Sequence, residues 1–96
     1  MDELVNISNY CNAILVKHGQ MITKCNAVYI KEDDVIEFRV QYHMDHNKNY
    51  KTWQYQIESL NFLITDTEVL VNKEAIDIIN KELESRLNLI KVKYEV

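Results

Sequence analysis

Proline is absent from the 96 residues, and glycine occurs once, at Gly19. A phosphate-cradling loop or a dinucleotide fingerprint needs several glycines for tight turns and close backbone approach, so neither is present. Cysteine is confined to Cys11 and Cys25, two single residues far apart in the chain. That spacing makes a zinc finger improbable and favours reduced, partly buried thiols over a disulfide framework. Arginine is scarce, with only Arg39 and Arg86, and the formal charge of -4 is divided evenly between the halves of the chain. Without a basic arm, a surface held by nucleic-acid phosphates is not expected. No apolar run approaches the roughly 20 residues that span a bilayer, and Met1-Asp2-Glu3 is the wrong start for a secretory signal. The expectation is a cytoplasmic protein without a membrane partner. Frequent Asn, Ile and Lys hint at an AT-rich genome, and so at a bacterium or a phage-infected host.

What is present is a strong two-residue period from Val35 to Ile57. Ile36, Phe38, Val40, Tyr42 and Met44 alternate with Glu37, Arg39, Gln41 and His43. Beyond the Asp45-His46-Asn47-Lys48-Asn49 turn, Trp53, Tyr55 and Ile57 alternate with Thr52, Gln54 and Gln56. Such alternation predicts an antiparallel hairpin with one apolar and one polar face.

The apolar face needs a cover, and the flanks supply two. Leu4, Ile7, Cys11, Ile14 and His18 recur at helical steps, predicting a helix over about residues 3–18 with Asp2 as N-cap and Gly19 as a left-handed C-terminal cap. Ile76, Ile79, Leu83, Leu87 and Ile90 predict a second helix over about residues 73–89, with Asn72 as N-cap and the pairs Asp77–Lys81 and Glu82–Arg86 along it. Between the first helix and the hairpin, residues 20–30 read as a strand whose favoured inward side carries Cys25, Ala27 and Tyr29, unless a bulge reverses it. Lys31 to Asp34 form a charged turn. Leu60, Phe62 and Ile64 predict a further short strand, and residues 68–71 either another strand or a lead-in to the second helix. The alternation from Ile90 to Val96 favours a terminal edge strand. Cys11-Asn12-Ala13 is echoed by Cys25-Asn26-Ala27, but the two copies have opposite periodicities and do not form a repeat.

The sum is one two-layer α+β domain over residues 1–96: an N-terminal helix, an antiparallel sheet of three to five strands, a long C-terminal helix and a terminal edge strand, with both helices on one sheet face. The other face stays open unless a partner covers it.

No catalytic signature stands out, no metal site is complete and no cofactor is implied, so an enzyme is the less favoured class. His43 and His46 alone do not make a zinc site. The leading expectation is a non-enzymatic protein-binding module that pairs with another protein or with itself as a homodimer, in one form a small phage-type inhibitor of a host or defence protein. Tyr29, Tyr50, Trp53, Ile78, Leu89 and Tyr94 are its candidate contacts. One alternative is a binder of a small anionic ligand in a dimer cleft, using Glu37, Arg39, His43 and Lys51. Another is a small enzyme with an acid–base pocket near Glu37 and His43.

Overall fold

The computed structural model describes residues 3–43 and 49–94, the side chains of the last four excepted. Its order is β1 (Leu4–Asn6), α1 (Ile7–Lys17), β2 (Ile22–Ile30), β3 (Val35–His43), β4 (Tyr50–Glu58), a 3-10 turn (Ser59–Asn61), β5 (Phe62–Ile64), β6 (Val69–Asn72) and α2 (Lys73–Tyr94). The strands form two three-stranded antiparallel sheets, β2-β3-β4 in the centre and β1-β6-β5 beside it.

The predicted hairpin is the spine. Ile36 faces Ile57, Phe38 faces Tyr55 and Val40 faces Trp53. On β3, Ile36, Phe38, Val40 and Tyr42 are all fully enclosed. Ile7, Cys11 and Ile14 of α1 and Ala75, Ile76, Ile79, Leu83, Leu87 and Ile90 of α2 join them in one core. Both helices therefore cover the same sheet face, because each has one apolar stripe and the central sheet has one apolar side. Met44 of the expected alternation and Asp45, His46, Asn47 and Lys48 of the expected turn lie outside the described residues.

Several local expectations change. The chain before Ile7 is extended rather than helical, since Leu4, Val5 and Asn6 pair with Asn72, Val71 and Leu70. The N-cap is accordingly Asn6, whose side-chain oxygen accepts from the Asn9 amide at 3.0 Å. The expected cap at Asp2 lies outside the described residues. Gly19 does not adopt the left-handed conformation. His18 caps α1 by donating its backbone N–H to Ile14, and a Cβ at Gly19 would come within 3.0 Å of the Leu15 carbonyl oxygen. Glycine is suited to this position by close approach rather than by torsion.

In β2 a register shift between Ile22 and Lys24 turns both Ile22 and Cys25 inward. Ala27 is half-buried, but Tyr29 is largely exposed; its hydroxyl donates to Asp34 at 2.8 Å, and its ring meets Phe62 edge-on. Asp34 takes the one left-handed backbone conformation among the described non-glycine residues, in the predicted charged turn.

The terminal edge strand is overturned over residues 90–94, which continue α2. Ile90 lies three residues beyond Leu87 on the buried stripe, so the core contact extends the helix past the point where alternation begins. Residues 95–96 lie outside the description. Asn72 caps α2 as expected, accepting from the Glu74 amide at 3.2 Å. The helix pairs differ, however: Asp77 meets Lys73 at 3.5 Å, and the Arg86 guanidinium lies over the Trp53 ring at 5.7 Å.

Candidate functional site

Three surfaces bring chemistry-bearing residues together. The first is the open face of the central sheet. Because alternate residues share a face, Glu37, Arg39, Gln41 and His43 stand in a row on β3. Across the ladders they meet Gln56, Gln54, Thr52 and Tyr50 of β4, and Val28, Asn26 and Lys24 of β2 oppose the first three. Arg39 Nη2 donates to Glu37 Oε2 at 2.7 Å, and Glu37 is 8% exposed. Arg39 Nε is also buried and has no hydrogen-bond partner among the described residues. The His43 and Tyr50 rings lie 4.8 Å apart at the far end of the row.

Glu37 and His43 share a face, but six residues of extended chain separate them by about 20 Å. One pocket cannot use both in a single proton transfer. Lys51 is opposite Tyr42, and so belongs to the helix-covered side of the sheet rather than to the Arg39 side. The anion pair imagined from Arg39 and Lys51 is therefore divided by the sheet.

The second cluster joins the helices. Glu84 Oε1 accepts from Lys17 Nζ at 2.8 Å and lies 3.2 Å from Nε2 of His18, whose side chain is almost entirely buried. The Lys17 hydrogen bond is the chief reason that the Glu84 carboxyl is held below its usual pKa range; the His18 contact adds to it, while burial acts the other way. Nearby, the Tyr10 hydroxyl donates to Asn80 Oδ1 at 3.0 Å, and burial pushes the phenol pKa up. Beneath α1, the free thiols of Cys11 and Cys25 meet in the core. Their mutual hydrogen bond lowers the pKa of Cys11 and raises that of Cys25. Glu84 and Asn80 carried no sequence signal for this role, because each lies beside an ordinary helical stripe and acquires its partner only through packing.

The third surface runs along the β4 edge of the central sheet. Ile78 and Leu89 project from the outer side of α2, 49% and 69% exposed. With Lys81, Glu82, Ser85 and Arg86 they line a shallow groove of about 570 Å³. A second groove of about 310 Å³ lies between residues 55–58 of β4 and Glu74, Ala75 and Ile78 of α2. Of the expected contact residues, Tyr50 and Tyr29 are exposed, at the start of β4 and the end of β2, while Trp53 is buried beneath Arg86. Tyr94 ends α2, but its side chain lies outside the description.

Among the described residues no three His, Cys, Asp or Glu side chains gather as a metal site, and no helix is long and apolar enough to cross a membrane. Compared with protein-family models, curated proteins and solved structures, the chain finds no match.

Proposed function

We propose that this chain is a non-enzymatic protein-binding module that acts through the β4 edge and the outer side of α2, with a second copy of itself as partner. The observation that carries the reading is the exposure of Ile78 and Leu89 beside a nine-residue strand that ends the central sheet. Such an edge presents unpaired backbone donors and acceptors, and apolar side chains next to it favour removal from water by about 25 cal/mol per Å². Two of the charged clusters elsewhere are tied up within the fold: Glu37 binds Arg39, and Glu84 joins Lys17 and His18. Sedimentation equilibrium should give twice the 11.4 kDa chain mass for the wild type. The combined substitutions Ile78→Glu and Leu89→Glu should give a folded monomer. A wild-type monomer across the accessible concentration range would overturn the reading.

A second reading, anion binding, is favoured by one specific feature, the buried Arg39 Nε, which has no hydrogen-bond partner among the described residues. Asn26 and Gln54 flank Arg39 across the two ladders and add amide donors to that face. Titration with inorganic phosphate, followed by NMR, should shift the Arg39 side-chain and neighbouring backbone signals, and Arg39→Ala should abolish those shifts. Unmoved wild-type signals would remove this reading.

A further inference from the structure

We infer that the second copy docks about a two-fold axis passing beside Gln54 of β4 and between Glu82 and Ser85 of α2, so that the two central sheets join, β4 to β4, into one sheet of six strands. This rests on the protein-binding reading above and specifies its geometry. The two edges of the central sheet differ. β2 is interrupted by its register shift between Ile22 and Lys24, a device that discourages edge pairing. β4 pairs with β3 without interruption from Tyr50 to Glu58 and has no proline or glycine. Its outer edge is the regular one. Of the other exposed apolar residues, Val28 and Tyr29 lie on the shifted β2, and Leu60, Leu63 and Ile64 lie at β5, whose three residues offer too short an edge to direct such pairing.

Strand and helix also share one centre. Ile78 lines a groove with residues 55–58, while Arg86 lies over Trp53, so α2 runs antiparallel to β4. The distance from Ile78 to Arg86 along a helix is about 12 Å, and the three to four strand residues that separate Trp53 from that groove span about the same length. On this scale the midpoint of Ile78 and Leu89, which falls between Glu82 and Ser85, lies level with Gln54. Gln54 is in turn the middle residue of β4. A single axis therefore serves both elements.

The exposed stripe is also self-complementary. Ile78, Glu82, Ser85 and Leu89 follow steps of four, three and four, the spacing of a helix-pairing seam. About the proposed axis Ile78 meets Leu89 of the partner subunit, and the Glu82 carboxylate accepts from Ser85 of the partner subunit, with the partner's Arg86 next to it. Each contact occurs twice, as an isologous interface requires. The size is sufficient. A strand of nine residues is about 30 Å long and the shortest dimension of the molecule is 20 Å, so the closed edge would bury on the order of 1,200 Å² over both partners, the lower bound of a specific interface.

Cysteine cross-linking of the full chain tests the register, because a residue on the axis meets its own copy. Gln54→Cys should form an intermolecular disulfide under mild oxidation by oxidised glutathione, at least fivefold faster than Thr52→Cys or Gln56→Cys alone. A mixture of those two variants should cross-link to each other. Wild type, with Cys11 and Cys25 buried, should not cross-link. A dimeric wild type in which Thr52→Cys or Gln56→Cys self-links faster than Gln54→Cys, or in which none of the three links, would overturn this register while leaving the binding reading intact. A monomeric wild type would overturn both.

Discussion

The two long faces of α2 carry similar aliphatic residues and meet opposite environments. Ile76, Ile79, Leu83 and Leu87 lie against the central sheet and are enclosed, whereas Ile78 and Leu89, on the same helix, stand in solvent beside the β4 edge. Hydropathy alone does not distinguish them. The enclosed set repeats at steps that keep it in one stripe within the core that also holds Phe38, Val40 and Trp53, while the exposed pair is rotated off that stripe and interrupted by Glu82 and Ser85. One stripe gains burial from folding of the single chain, and the other can gain it only from a partner. The expected signature is that substitutions on the first face change unfolding at any concentration, and substitutions on the second change association.

The largest effect should come from the inner face. Leu83→Ala leaves a cavity at a fully buried position and should lower unfolding stability by about 3 kcal/mol, read from the urea midpoint at constant slope. If the loss were below about 1 kcal/mol, the inward stripe would not be the anchor of α2. On the outer face, Ile78→Glu with Leu89→Glu should weaken the proposed self-association at least a hundredfold, equivalent to about 2.7 kcal/mol. The free energy of unfolding measured in dilute solution should stay within about 0.5 kcal/mol of wild type. A large loss of monomer stability from this pair would erase the distinction between the faces.

Glu84 sharpens the comparison from the border between them, since its carboxylate ties α2 to the end of α1. Glu84→Gln should cost about 1 kcal/mol at neutral pH by weakening the charge-assisted bonds to Lys17 and His18. The pH dependence has a definite sign. The folded carboxyl is held below its ordinary value of 4.5, so just below that value the unfolded chain binds more protons than the folded one. Its stabilisation is complete above that value and is lost as pH falls through the folded pKa. Urea unfolding from pH 7 to pH 3 should therefore show a shallower acid decline in Glu84→Gln than in wild type. An unchanged decline would assign acid sensitivity to other carboxylates.

Much of the fold was legible because its strongest elements satisfy local period and tertiary burial together. The hairpin from Val35 to Ile57 alternates without a break on either side of its turn, and the α2 stripe keeps helical spacing for several turns after a good N-cap at Asn72. Ambiguity arose where two periods fit the same residues. Leu4 falls on the α1 stripe, yet pairs with Asn72 as a strand. Ile90 begins an alternating tail, yet is drawn into the helical core behind Leu87. The candidate sites were less legible still. Glu37, Arg39 and His43 were rightly placed on one face by alternation, but their separation along an extended strand and the opposite facing of Lys51 follow from the pairing register.

The order of apolar and polar residues along the chain already specifies the hairpin, the two helices and the α+β class, because side-chain period is a property of the local backbone. Packing alone brings Cys11 to Cys25, gathers Lys17 and His18 around Glu84, and leaves Ile78 and Leu89 exposed on the side of the central sheet where β4 is the edge strand. Those meetings depend on where distant segments pack, and several arrangements of the same elements could satisfy the local pattern equally well.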